Sequence, residues 1–257
     1  MPKPRYTSYI ICTSPRSGST LLCTLLQATG VAGNPDSHFH SKSLEGWLLT
    51  YGLRERFSSS QQAVRSVVTR AIQTGKGDTE IFGLRMQRTS FVHFLQQIGS
   101  LDPEMGCDLD RIQAVFGSTL FIHLTRSNKL EQAISLVRAT QTGLWHRAAD
   151  GSELERLTDP KPPNYDSQEI QRALSELEKM DRDWLCWFEK EGVSPLRFTY
   201  DQVSQNPTAV LVQILQSLGV ETQAAQHVSP PTAKLADALN QQWAEQFRAQ
   251  HPALFQP

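Results

Sequence analysis

The chain has 257 residues, long enough for one large α/β domain, and its composition is that of a globular protein: 39% hydrophobic and 20% charged. Its formal net charge of −1 excludes the net basic face that nucleic-acid binding demands, while leaving room for a local basic pocket. The apolar run Tyr9 to Cys12 is too short for a signal-peptide core, and no stretch approaches the ~18 apolar residues of a membrane span. The four cysteines, Cys12, Cys23, Cys107 and Cys186, show neither CxxC nor disulfide spacing, so a cytosolic protein with reduced thiols is expected.

The first predicted element is a short β-type run, Tyr9 to Thr13, followed by turn chemistry at Ser14-Pro15 and a helix over Ser19 to Thr29. In that helix Leu21, Leu22, Leu25 and Leu26 recur at helical spacing, and Gly30 marks the stop. Residues 43–57 and 61–73 read as helices, Ile81 to Met86 as a second strand, and Phe91 to Ile98 as another helix. A third strand, Thr119 to Thr125, leads into a helix whose apolar face runs through Leu130, Ala133, Ile134, Val137 and Leu144. Ala148–Asn164 is rich in Gly, Pro, Asp and Lys and is expected to be a mobile loop. Beyond it come a long amphipathic helix (Ile170 to Phe188), a fourth strand (Leu196 to Tyr200), a helix opened by Asn206-Pro207 and closed by Gly219, and a last helix over about 232–249. Strands alternating with helices predict a single α/β domain over 1–257, with a P-loop-like parallel sheet flanked by helices and a helical C-terminal part. Ligands in such sheets bind at the carboxyl ends of the strands, which singles out the loop after the first one.

That loop, Thr13 to Thr20, aligns with the phosphate-binding pattern GxxxxGK[ST] at Gly18 and Thr20. Thr13 stands for the first glycine and Ser19 for the lysine. A strand running through small residues into a helix N-terminus still presents backbone N–H groups to an anion. Arg16 adds a permanent cation, and Ser17, Ser19 and Thr20 add hydroxyls. Nucleotide hydrolases use the missing lysine together with a metal held by an aspartate at a strand end. Here the third strand is followed by Arg126 instead, which suggests a metal-free donor. Taken by itself, RSGST fits a donor-binding loop and a merely capped strand-to-helix turn equally well. No HExxH and no ligand-spaced Cys/His cluster indicates a metal site. Trp47, Trp145 and Trp184 fall on apolar helical faces, although Trp145 also suits a purine or sugar pocket. His123 reads as a core residue. Arg138, His146 and Arg147 read as a solvated face or as a contact for an anionic acceptor.

The stretch from Tyr9 to Leu22, with Leu26-Gln27-Ala28-Thr29-Gly30 and Gly33-Asn34-Pro35 after it, resembles the start of bacterial sulfotransferases of the trehalose 2-sulfotransferase type. So do Phe121 to Arg126, the segment through Gln132 to Thr142 and Trp145, Phe82 to Met86 and, more weakly, Trp184 to Phe188 and Tyr200. The resemblance implies sulfuryl transfer from 3′-phosphoadenosine 5′-phosphosulfate (PAPS) to a carbohydrate, glycolipid or lipopolysaccharide hydroxyl, and a homodimer. It further implies that Arg16, Ser17, Gly18, Ser19 and Thr20 hold the 5′-phosphosulfate, while Arg126 and Ser135 hold the 3′-phosphate. Arg16 and the loop amides, helped by Arg85, are expected to stabilise charge developing on the bridging and sulfuryl oxygens, which makes Arg16 a catalytic residue as well.

One departure stands out. The family pattern after the first helix is roughly G-x-P-x-E-[FY]-F, with the glutamate expected as base, whereas this chain reads Gly33-Asn34-Pro35-Asp36-Ser37-His38-Phe39-His40. Serine is a poor base at neutral pH, and an imidazole, with its ordinary pKa of roughly 6.5, suits the task better. His40 or His38 is therefore expected as the base, with Asp36, Ser37 and Arg85 on the acceptor side. Two rivals stand beside this reading: a small-molecule P-loop kinase or nucleotide hydrolase, and a non-catalytic PAPS-binding or PAP-binding relative that lacks the base.

Overall fold

The computed structural model describes residues 4–147, 152–228 and 238–255. Strand β1 (Ser8–Thr13) leads into helix α1 (Ser19–Ala28); α2 (Leu44–Thr50) and α3 (Ser60–Lys76) precede β2 (Phe82–Gln87). Helices α4 (Arg88–Gly99) and α5 (Asp108–Phe116) precede β3 (Thr119–Thr125), and α6 (Lys129–Thr142) runs into β4 (Leu144–Arg147) and β5 (Glu153–Arg156). The long α7 (Ser167–Lys190), β6 (Leu196–Thr199), α8 (Tyr200–Gln205), α9 (Pro207–Leu218) and α10 (Ala238–Gln250) complete the order.

Every residue of β1 is buried, as a strand covered on both faces must be. It lies inside a parallel sheet of order β2-β1-β3-β6, the predicted α/β sheet. Ile10 and Cys12 pack with Phe82, Leu84 and Met86 of β2 against α3, α4 and α7 on one face. Tyr9 and Ile11 pack with Ile122, α1 and α9 on the other. A third cluster joins α6, α7 and α10 through Ile134, Leu177 and Trp243. The register aligns the carboxyl ends: Thr13 pairs with Gln87 and Leu124, and Thr125 with Thr199. Arg16, Arg126 and Tyr200, each just past a strand, thus emerge along one edge of the sheet. Among the described residues no helix is long and apolar enough to cross a membrane.

The structure departs from the sequence expectation in several places. The helix expected over 43–57 is confined to α2. Helix α5, with acidic residues Asp108 and Asp110 in its first turn, was not anticipated. Leu144 does not extend α6, because Gly143 takes a left-handed φ of 69° and ends the helix. Leu144 instead begins a two-stranded antiparallel hairpin whose second strand, β5, lies inside the expected loop 148–164. Residues 148–151 of that loop and 232–237 of the expected last helix lie outside the described residues.

Trp184 ties α7 to the sheet. Its buried ring lies 4.6 Å from that of Phe91, and its Nε1 donates to the Thr13 carbonyl at 2.9 Å. Trp184→Ala should cost about 3–5 kcal/mol, the range for deleting a large core ring, read as a lowered midpoint in urea denaturation. A loss below ~1 kcal/mol would show that the ring is not needed to anchor α7.

Candidate active site

A cavity of about 590 Å³ opens at the carboxyl edge of the sheet, within the size range of small-ligand sites. One wall is the loop between β1 and α1. Arg16 takes a left-handed φ of 60°, the one positive-φ residue other than glycine among those described, a conformation unfavourable for L-residues and concentrated at functional sites. Gly18, with φ 84°, is the N-cap of α1, and no side chain caps that helix or adds an acid to its first turn. Its leading amides are therefore free of a competing side-chain acceptor and favour an anion. A Cβ on Gly18 would stand 2.5 Å from the Tyr200 ring, so the loop and α8 fit only with glycine there.

The predicted donor residues converge, with one exception. Arg16, Gly18, Ser19, Thr20, Arg126 and Ser135 all line the cavity. Arg16 donates from Nε to Ser135 Oγ at 3.0 Å and from Nη1 to the Trp145 carbonyl at 2.5 Å. Arg126 is nearly buried, donates to Glu131 Oε2 at 2.7 Å and lies 4.9 Å above the Tyr200 ring. Burial and the Arg126 charge push the Arg16 guanidinium down to about 10. Two cations that destabilise each other make a site suited to an anion. Ser17 is the exception: it is fully buried, and its hydroxyl sits 2.5 Å from Thr13 Oγ1, where it builds the loop.

The acceptor-side residues form the opposite wall. Arg85, on β2, donates from Nε to Ser37 Oγ at 2.8 Å, from Nη1 to Thr20 Oγ1 at 2.7 Å and from Nη2 to Asp36 Oδ1 at 3.1 Å. Asp36, Ser37, His40 and Arg85 line the cavity, but His38 does not. The His38 ring is tucked against Phe82 and Gly75, with Nε2 3.2 Å from the Asn34 carbonyl and Nδ1 3.1 Å from the Tyr51 hydroxyl. Burial lowers its pKa. The His38 ring thus faces inward, while His40 stays exposed at the rim.

The β4–β5 hairpin supplies further lining residues, on a strand where the sequence suggested a helical face. Trp145 belongs to a strand and lines the cavity, its ring 6.0 Å from the Arg16 guanidinium. His146 and Glu155 also line it. Burial, followed by the charges of Arg16 and Arg85, lowers the His146 pKa to about 4. Of the other members of that expected cluster, Arg138 turns to Asn240, and the Arg147 side chain lies outside the described residues. Among the described residues no group of His, Cys, Asp and Glu side chains is arranged to hold a metal ion.

A cavity that carries Arg16 and Arg126 beside a lysine-free loop, at the carboxyl edge of a parallel sheet, suits an anionic group. The family model of the Stf0 sulphotransferases matches residues 8–250; the chain belongs to this family and is a sulfotransferase. It is 28% identical over 262 residues to a trehalose 2-sulfotransferase of Mycolicibacterium smegmatis, covering 94% of both chains. It is 26% identical over 275 residues to a trehalose 2-sulfotransferase of Mycobacterium tuberculosis, covering 97% of both. A sulfotransferase domain from the curacin biosynthetic pathway superposes with a TM-score of 0.49 at 14% identity, over 96% of this chain and 97% of that one.

His123, on β3, is a core residue as expected; burial lowers its pKa to about 4. Between the ordinary imidazole pKa of ~6.5 and about 4, the unfolded chain carries a proton at this position that the folded chain lacks. Acid therefore favours unfolding, and stability should fall as the pH drops through that window. His123→Asn should make the fall shallower, measured as urea midpoint against pH. Parallel curves for the two proteins would refute the coupling.

Proposed function

We propose that the protein moves a sulfuryl group from PAPS to a hydroxyl of a carbohydrate acceptor. The observation that carries this reading is the convergence of Arg16 and Arg126 on one cavity beside the α1 N-terminus, whose cap residue has no side chain. When bound, the donor supplies an activated sulfuryl group on a phosphate leaving group. The residues present suit it: Gly18, Ser19 and Thr20 lead the α1 amides to the 5′-phosphosulfate, and Arg16 answers its charge with a forked donor. Arg126 and Ser135 are assigned to the 3′-phosphate, the group that separates PAPS from ATP. Ser17 acts by shaping the loop.

Sulfuryl transfer follows the logic of phosphoryl transfer, with in-line attack and catalysis by positioning and electrostatics. Arg16 and Arg85 flank the cavity from two walls and are placed to stabilise charge on the sulfuryl and bridging oxygens. With cations in that role, transfer is expected to proceed without a metal. Asp36, Ser37 and His40 form the mouth through which the acceptor enters. The relatives' trehalose activity supports a sugar hydroxyl, and glycolipid and lipopolysaccharide carry hydroxyls of the same chemistry. The four unpaired thiols suit a cytosolic location.

Incubation with PAPS, EDTA and a panel of trehalose, other sugars, glycolipids and lipopolysaccharide should release PAP with at least one acceptor. ATP–Mg²⁺ turnover without PAPS turnover would establish a kinase instead, and tight PAPS binding without transfer to any acceptor a non-catalytic relative. Arg16→Ala and Arg126→Ala should each weaken PAP binding by about 1.5–3 kcal/mol, the range for a lost charge-assisted contact, or roughly 10- to 150-fold in Kd by calorimetry. Near-wild-type affinity in both variants would overturn the donor assignment.

A further inference from the structure

At the mouth of the cavity His40 is exposed, and no hydrogen bond among the described residues orients its ring. Ser37 accepts a hydrogen bond from Arg85, and Asp36 is ion-paired to the same guanidinium at 3.1 Å. The hairpin offers a better placed group. His146 Nε2 lies 3.1 Å from Thr20 Oγ1 on the donor loop and 3.4 Å from Glu155 Oε2 on the neighbouring strand. Thr20 Oγ1 already accepts from Arg85 Nη1 at 2.7 Å, so its own proton is available to point at the imidazole lone pair. His146 and Glu155 are cross-strand partners, and register irregularities flank His146 on both sides, the kind of bulge that re-aims a side chain beside an active site.

We infer that His146 is the general base of the transfer and that Glu155 is its positioning residue. The inference rests on the sulfuryl-transfer reading. The acceptor O–H bond breaks as its oxygen bonds to the donor sulfur. The acceptor hydroxyl takes the place of Thr20 Oγ1 at the ring, its proton passes to His146 Nε2, and the sulfur–oxygen bond to the phosphate breaks with its electron pair leaving on PAP. The new N–H then faces the Glu155 carboxylate, whose charge stabilises the imidazolium at the same nitrogen. The charged groups around the ring are Arg16 on the loop, Arg85 on β2 and Glu155 on β5, with Asp36 and His40 lining the same cavity. Burial first, and then the charges of the two arginines, keep the imidazole neutral, hence able to accept a proton. An anionic donor between them offsets their charge and raises the basicity of His146 when it is needed.

The test uses the full chain with PAPS and trehalose from pH 5 to 9, comparing wild type, His146→Gln, Glu155→Gln and His40→Gln. His146→Gln should lower kcat by about 100-fold or more, the scale of a lost general base. It should leave PAP affinity within about threefold, which also reports an intact fold, and should remove the acid limb of the pH profile. Glu155→Gln should keep that limb but displace it to lower pH. A larger kcat loss in Glu155→Gln or His40→Gln, or an unchanged profile in His146→Gln, would overturn the assignment. A second readout needs no acceptor: PAP binding at pH 5.5 by calorimetry, in two buffers of different ionisation enthalpy. Wild type should take up protons on binding and His146→Gln distinctly fewer, whereas equal uptake would overturn the inference. If wild type fails to turn over PAPS with every acceptor of the panel while the proton uptake still depends on His146, the failure lies with the transfer reading and not with the coupling of His146 to the donor.

Discussion

The structure is organised around a guanidinium held where a cation is costly. Arg16 is taken largely out of water and faced with a second cation, Arg126, and its hydrogen bonds run to neutral oxygens of Ser135 and Trp145. A left-handed backbone is required to aim it, at a cost of roughly 1–2 kcal/mol for a non-glycine residue. None of this favours the empty state. Strain and mutual repulsion that persist in a folded protein must be overdetermined by their surroundings, and an anionic ligand relieves the electrostatic part on binding.

The surroundings that overdetermine it lie beneath the loop. Asp181, on α7, accepts from Ser14 Oγ at 3.2 Å and from Thr125, and is ion-paired with Lys129 at 2.5 Å. Gln132, on α6, donates to the Pro15 carbonyl at 2.7 Å and to Ser14 Oγ at 3.0 Å. Trp184 closes the ring by donating to Thr13. A half-buried ion pair of this kind contributes little net stability compared with apolar packing. Its members accept and donate among fixed partners, however, so it specifies one loop conformation. Helix α6 is shared: its first turns hold the loop from below, and Ser135 meets Arg16 one turn further on.

How much of this was legible in the chain depended on how local each signal is. The donor loop was readable because strand, small residues, arginine and helix follow one another within a dozen positions, and Arg126 with Ser135 followed from a second contiguous stretch. Tyr200 read as the end of a strand, although Thr199 and Gln202 form a capping box, a T-x-x-Q signal that places Tyr200 at the start of a helix. His38 and His40 were not separable by sequence. What divides them is that Gly75 has no Cβ, since one would stand 2.7 Å from His38 Nε2, and this contact links residues far apart in the chain. The hairpin was least legible, because its second strand is a polar stretch whose pairing with β4 leaves no periodic trace.

That contrast between local and long-range signals coincides with the division of labour in the site. The residues assigned to the donor sit on the sheet edge, where register and helix geometry fix them. The proposed acceptor side is assembled from the Asp36–His40 segment and a bulged hairpin, both outside the four-stranded sheet. An isolated bridge from Asp36 to Leu84 and the three bonds of Arg85 bind the Asp36–His40 segment, while the Arg16–Trp145 and Thr20–His146 contacts bind the hairpin to the loop after β1. Arg85 is therefore the hinge between the two halves: it reads Ser37 and Asp36 with two nitrogens and Thr20 with the third. Through Thr20 it reaches His146 as well. Loss of a carboxylate at the Ser37 position need not disable such a site, provided that a proton acceptor reaches the same guanidinium-centred network from another wall.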